Sequence, residues 1–277
     1  MEKYIIKADG KKEQYKEEKI SSSFIKAGAS PEIAATATKT INKKVKDNMS
    51  TDEIYRRALS HLRVLEPRVA LKYSLKRAIM NMGPEGFVFE KYIAKILREY
   101  GFITKVGQIL NGYCVDHEVD VVAKKGNQVC LIECKYHNSP GIKSDIKTAL
   151  YIHSRFLDIE KAYREKDNNN NTCFEAWLVT NTKCTSDVIK YASCVGLKIL
   201  AWHYPKMENL QYFIETKKLY PISILSTITE KQRNILFYSD IILAKELGSY
   251  KVGSLAELIS VSQPVALKIL NEASIII

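Results

Sequence analysis

Gln128-Val129-Cys130-Leu131-Ile132-Glu133-Cys134-Lys135 reads as a β-strand, a largely apolar run with one carboxylate and one ammonium at its far end. Side chains on a strand alternate between its faces. Glu133 and Lys135 therefore share one face, and Cys130, Ile132 and Cys134 share the other, which is the core face. Lys124-Lys125-Gly126-Asn127 immediately before it is a short hairpin loop, and His117–Ala123 is the partner strand. Folding the hairpin brings Asp120, near the middle of that partner strand, back beside Glu133. Two carboxylates and one ammonium then meet at one edge of a sheet.

The flanking sequence supplies the rest of that sheet. Phe87, Ile93, Ile96 and Leu97 have helical spacing, Phe102–Ile109 reads as a strand, and Asn111-Gly112 as a turn. After the hairpin come a helix over Ile142–Ala162, a polar loop over Asp167–Asn171, a strand at Phe174–Thr180, a helix at Ser186–Cys194 and a strand at Leu197–Trp202. The order predicts a mixed sheet with helices on its faces. Upstream, a short strand at Tyr4–Lys7 gives way to helices opened by Ser30-Pro31-Glu32, Ser50-Thr51-Asp52-Glu53 and Glu66-Pro67. Asn81-Met82-Gly83-Pro84 ends that run. Residues 220–277 read as helices at Thr229–Tyr238, Ser254–Ile259 and Val265–Asn271. The expected class is α/β in three units: a mostly helical 1–82, a mixed sheet flanked by helices in 83–219, and a small helical 220–277.

Lys and Arg number 42 against 31 Asp and Glu, a formal net charge of +11. That suits an anionic partner such as nucleic acid or nucleotide, although many basic proteins have none. The excess is uneven: 18 basic and 10 acidic residues in 1–82, 19 and 16 in 83–219, and 5 and 5 in 220–277. Most of it therefore lies outside the segment with the carboxylates. No apolar run is long enough to span a membrane, and the N-terminal stretch lacks the apolar core of a secretory signal. The six cysteines form no Cys-x-x-Cys pair, which favours reduced thiols in a cytoplasmic protein over a zinc site.

Asp120, Glu133 and Lys135 suit phosphodiester hydrolysis. Carboxylate oxygens bind Mg²⁺, which activates water and neutralises developing charge, and an ammonium orients the attacking water and stabilises the transition state. Glu90, on the helix before the hairpin, offers a third carboxylate. The plain alternative is a charged face on a half-exposed hairpin, but both carboxylates sit in apolar strands, where an unused charge is costly. His117, three residues before Asp120, is expected on the opposite face as a packing residue. Tyr151 and His153 follow on the next helix, and Lys143 and Lys147 there are either phosphate contacts or a solvated face.

Over about residues 84–202 the sequence resembles the PD-(D/E)xK nucleases, specifically the Mrr-like restriction endonucleases. Gly86-Phe87-Val88-Phe89-Glu90 resembles their first helix, Asp120 their metal aspartate and Glu133-Cys134-Lys135 their E-x-K. Val119 stands where the name-giving motif has Pro, a position that varies widely in the family. The resemblance implies a restriction-endonuclease-like fold, Glu90, Asp120 and Glu133 around Mg²⁺ or Mn²⁺, Lys135 as catalytic lysine, and a setting in restriction or phage defence.

Residues 3–79 resemble the ATP-cone, the regulatory nucleotide-binding module of ribonucleotide reductases. Ile5-Ile6-Lys7-Ala8-Asp9-Gly10 corresponds to its opening, Tyr15 and Lys19-Ile20 to its aromatic and Lys-Ile, and Ala70-Leu71-Lys72-Tyr73 to its late Ala-x-(Arg/Lys)-Tyr. A glycine turn lets backbone approach phosphates, and Lys7 and Lys19 can neutralise a triphosphate. The resemblance implies ATP or dATP as regulatory ligand, with Ile5, Lys7, Gly10, Lys19 and Lys72 as binding residues. Ala8 replaces the family's usual Arg and removes one contact. A cone kept only for oligomerisation is the alternative. Ser254–Leu270 has a faint helix-turn-helix look, but its neutral surroundings argue against DNA reading and for packing or dimerisation.

Together these readings predict a metal-dependent DNA endonuclease regulated or assembled by ATP or dATP, homo-oligomeric through the cone or the C-terminal helices. The alternatives are a nucleotide-sensing DNA-binding regulator with an inert nuclease fold, or a nuclease acting on RNA or branched DNA.

Overall fold

The computed structural model describes residues 3–166 and 171–276; of the expected polar loop, Asp167 to Asn170 lie outside them. The chain opens with β1 (Tyr4–Ile6) and β2 (Lys12–Gln14), then α1 (Glu17–Lys26), α2 (Pro31–Lys44), β3 (Met49–Ser50), α3 (Thr51–Leu65) and α4 (Pro67–Met80). β1 pairs antiparallel with β2 and parallel with β3. The helix starts follow from their caps: the Ser30 hydroxyl accepts from the Ile33 amide at 3.2 Å, and that of Ser50 from the Glu53 amide at 3.1 Å. Pro31 and Pro67 sit in first turns, where no intrahelical amide bond is lost. Phe24, Ile41, Ile54, Ala58 and Leu62 form the centre of this unit's core.

Next come α5 (Phe87–Glu99), β4 (Ile103–Asn111), β5 (Asp116–Lys125), β6 (Gln128–Lys135), the short β7 (Lys143–Ser144), α6 (Ile146–Lys166), β8 (Cys173–Thr180), the short β9 (Lys183–Cys184), α7 (Ser186–Val195) and β10 (Lys198–Leu200). The main sheet runs β10-β8-β6-β5-β4. β10, β8 and β6 are parallel, and β5 and β4 are antiparallel additions. The mixed sheet and its element order are as predicted. α6 begins later than the sequence pattern suggested because Asp145 caps it, accepting from the Thr148 amide at 3.2 Å. Lys143 consequently lies on β7 instead of on the helix with Lys147, a correction to the expected pair.

The hairpin closes more tightly than expected, with Lys125 paired to Gln128 across Gly126-Asn127. Gly126 takes φ +59°, which a two-residue turn favours. A second irregularity falls at the site. On β4, Val106 pairs with Val121 and Gln108 with Val119, while Gly107 between them takes φ +60° opposite Asp120. Alternation breaks there: Val119 and Val122 pack with Leu131 and Ile159 of α6, whereas Val121 and Ala123 join the core on the α5 side.

The chain finishes with α8 (Leu210–Thr216), α9 (Glu230–Tyr238), α10 (Val252–Leu258) and α11 (Gln263–Ile276), with 3₁₀ turns at Ile222–Ile224 and Ala244–Ser249. Among the described residues, 220–276 have no core of their own. Ile242, Leu247, Leu255, Ala266 and Ile269 share one core with Phe89, Ile93 and Leu97 of α5 and with Leu75 and Ile79 of α4. The buried Tyr92 hydroxyl donates to the Leu219 carbonyl at 2.8 Å and locks α5 to the segment leading into them. Among the described residues, no helix is long and apolar enough to cross a membrane.

Candidate functional site

β5 and β6 place Asp120 beside the E-x-K segment. Ladder pairing ends at Val121 and Ile132, and beyond it the Asp120 Oδ2 accepts from the Cys134 amide at 2.7 Å. Glu133 points toward α6, where Arg155 Nη1 donates to its Oε2 at 2.8 Å. Lys135 ends β6, its carbonyl accepting from the buried Thr180 hydroxyl at 2.7 Å. The following turn is clamped by buried Asn181, which accepts from the His137 amide at 2.9 Å and donates to the His137 carbonyl at 2.7 Å. Glu90 approaches from α5.

These carboxylates feel one another. Burial, then the charges of Asp120, Glu118 and Glu133, push Glu90 up to about 7. Burial also raises Asp120, against the Cys134 amide and the positive charge of Arg155. Burial and Asp120 raise Glu133, against Arg155 and Lys135. The structure thus brings Glu90, Asp120, Glu133 and Lys135 into one electrostatic group. It does not close them into a cage: among the described residues, no three His, Cys, Asp or Glu side chains are gathered so as to hold a metal ion. In donor type alone the set is compatible with Mg²⁺ or Mn²⁺. Its donors are hard carboxylate oxygens, whose crowding calls for positive charge, and Mg²⁺ characteristically takes one or two carboxylates and keeps several waters.

The neighbouring candidates separate. His117 turns to α6 and pairs through Nε2 with Asp158 Oδ2 at 2.8 Å, away from the carboxylates. His153 Nδ1 is engaged with the Tyr191 hydroxyl at 2.8 Å. Tyr151 is exposed and lies under the Arg155 guanidinium, 4.9 Å from its ring centroid. Arg155 is the residue that sequence reasoning missed. Its signal was the four-residue spacing from Tyr151, which puts both on one helix face.

In the N-terminal unit, Lys7 and Lys19 both pair with Glu13. Gly10 makes the β1–β2 turn at φ +78°, and half-buried Ile5 packs on the local core. Lys72 lies against Gly28, at the end of α1 remote from Lys19. The structure therefore gathers Lys7, Gly10 and Lys19 but not Lys72. It adds residues the sequence did not single out: the Tyr55 and Tyr73 rings stack at 5.2 Å and 17°, and the Arg77 guanidinium covers Tyr55 at 3.6 Å. A cavity of about 1050 Å³ opens instead between α1 and α2, beside Glu18, Lys39 and Lys43. It is a shallow trough without the predicted binding residues.

Comparison with known proteins supports part of this picture. The ATP cone domain family matches residues 3–81. The chain therefore carries an ATP-cone at its N terminus, which points to nucleotide-binding regulation. An uncharacterized protein of Archaeoglobus fulgidus is 37% identical over 166 residues, 58% of this chain and 90% of its own length. The chain belongs to the family of that archaeal protein. A solved crystal structure, described as that of a protein of unknown function, is 35% identical with a TM-score of 0.58, covering 69% of this chain and 97% of its own. Both matches are longer than the cone, so the likeness includes residues outside it. Neither description names an activity.

Proposed function

We propose that the sheet unit of this chain is a Mg²⁺- or Mn²⁺-dependent DNA endonuclease, tuned or assembled through ATP or dATP at the ATP-cone. The observation that carries the proposal is the placing of Asp120 against the Glu133-Cys134-Lys135 segment, at the break opposite Gly107. Asp120 Oδ2 is held by the Cys134 amide, so the carboxylate is fixed before any ligand arrives. Asp120 and Glu133, with Glu90 beside them, would hold the divalent ion, which when bound lowers the pKa of a water and neutralises phosphate charge. Lys135 orients the attacking water and opposes the negative charge that develops on the phosphate oxygens. Arg155 anchors Glu133 and adds a second cation at the same edge. The resemblance to Mrr-like restriction endonucleases supports the same chemistry and suggests restriction or phage defence.

The expected outcome is Mg²⁺- or Mn²⁺-dependent cutting of DNA by the wild-type chain. Glu133→Ala or Lys135→Ala should lose it by at least about a hundredfold while DNA binding persists. A chain that leaves every DNA and RNA substrate intact with either metal would end the enzyme reading. For the cone, calorimetry with ATP and dATP should show binding that weakens about tenfold in Lys7→Ala, the loss of one charge-assisted contact. No heat with any nucleotide would leave the module structural.

The Arg155–Glu133 ion pair favours a second reading, a nucleotide-sensing DNA-binding regulator whose nuclease fold is inert. There Arg155 would stand permanently where a metal otherwise acts. Divalent-ion titration separates the two, since the inert form binds none at Asp120 and Glu133. A substrate panel separates DNA from RNA or branched DNA.

A further inference from the structure

One helical turn before Glu90, α5 begins with Phe87, and its ring lines a cavity of about 290 Å³ against α9. Tyr238, 91% exposed at the end of α9, forms part of the opposite wall. Its ring stands open to solvent beside the cavity, where a second aromatic ring can stack on it. Phe87 is also half exposed, with Lys91 Nζ 4.7 Å from its centroid. Exposed Asn234, one turn before Tyr238 on α9, supplies an amide donor and acceptor to the same wall. Lys91 is paired with Asp240 at 3.4 Å and Glu85 shares the lining, so it is the aromatic walls and the amide that match a flat heteroaromatic ring.

We propose that this cavity takes an unpaired base of the DNA strand held at the Asp120–Glu133 centre, stacked on Tyr238 and hydrogen-bonded to Asn234 whatever the base. The inference rests on the nuclease reading and deepens it: the preferred substrate carries a flap, gap or single-stranded end. Position favours a base over another aromatic ligand, because α5 carries both Phe87 and Glu90, and three residues of helix rise only about 4.5 Å. Stacking on protein aromatics is tolerant of sequence, so the site selects unpaired strands and not a base sequence. Paired bases cannot enter, since their faces are occupied by neighbours in the duplex.

The test uses the full chain. A flapped duplex with 2-aminopurine at the unpaired position is titrated in chelator, where nothing is cut. The fluorescence should be quenched by wild type and by Tyr238→Trp, and Tyr238→Ala should bind this DNA about tenfold more weakly. With Mg²⁺ or Mn²⁺, Tyr238→Ala and Asn234→Ala should lose the preference for flapped over paired DNA, read as the ratio of the two cutting rates. If wild type cuts paired DNA but Tyr238→Ala quenches and cuts like wild type, the base site is wrong and the nuclease stands. If quenching follows Tyr238 but no DNA is cut with any metal, the site stands as a single-strand contact and the nuclease reading falls.

Discussion

Asp158 shows how a single carboxylate holds the edge of the sheet next to the site. It accepts from the Cys114 amide at 2.9 Å, from the Val115 amide at 3.3 Å and from His117 Nε2 at 2.8 Å. His117 first, against the opposing effect of burial and then with the Cys114 and Val115 groups, brings its pKa down to about 2. A carboxyl whose folded pKa lies below its unfolded value of ~3.9 stabilises the fold above that value. The contribution fades as pH falls from ~3.9 through about 2. Asp158→Asn should therefore lower the urea midpoint at pH 6 and lower it less at pH 3. A deficit of the same size at both pH values would assign Asp158 a packing role and no electrostatic one. His117 was expected to be a packing residue, and its pairing with Asp158 keeps it from the carboxylates. The partner was not legible, because a contact across 41 positions leaves no local pattern.

At the level of elements, what was legible had a period. β6 was read with its ends in place, since an apolar run bounded by a turn fixes both its start and its core face. Cys130, Ile132 and Cys134 are buried as that reading requires. The break at Gly107 was not read, because period-two alternation assumes an unbroken ladder; the β4–β5 register is kept across it, yet Val119 and Val121 end on opposite sides of the sheet. The role of residues 220–277 was partly read: packing was one of the two expectations, but a helix's apolar face does not say which core it joins. The β4–β5 connection was legible as Asn111-Gly112, and the structure supplies the reason for glycine. A Cβ at Gly112 would collide with the Asp158 carboxylate and the Val115 carbonyl. The second of these is backbone and cannot swing aside. Gly112→Ala should cost about 1–3 kcal/mol by overpacking, lowering Tm by several degrees (~2–4 °C per kcal/mol for a chain of this size). A melting point equal to wild type would mean that the turn relaxes freely. Loss of stability here should reach catalysis only through β5, which carries Asp120.

Across the whole molecule, α4 is the part that both cores share. Val69 and Ala70 belong to the core of the ATP-cone, while Leu71, Leu75, Ala78 and Ile79 belong to the core of the sheet unit. A helix packed at both ends transmits displacement as a unit, because packed interiors resist gradual deformation. Its last turn meets the candidate active site through one side chain. The Tyr136 hydroxyl, on the residue after Lys135, donates to the Met80 carbonyl at 2.5 Å with the Gly83 carbonyl also in reach at 3.0 Å. A nucleotide that moves α4 relative to the sheet must therefore strain or break this contact, and it shifts activity only by as much as it prefers one arrangement. Tyr136→Phe keeps the ring packed against Phe89 at 5.5 Å and removes only the hydroxyl. The expected result is unchanged ATP affinity in calorimetry, basal cleavage within about threefold of wild type, and a smaller change in cleavage rate when ATP is added. The comparison is of the ratio of rates with and without nucleotide, because coupling between two sites is defined by that ratio and not by either rate alone. An ATP response equal to that of wild type would show that the cone communicates by another route, such as the shared apolar core around Leu75 and Ile79 or the Ser223 hydroxyl on the Ala78 carbonyl.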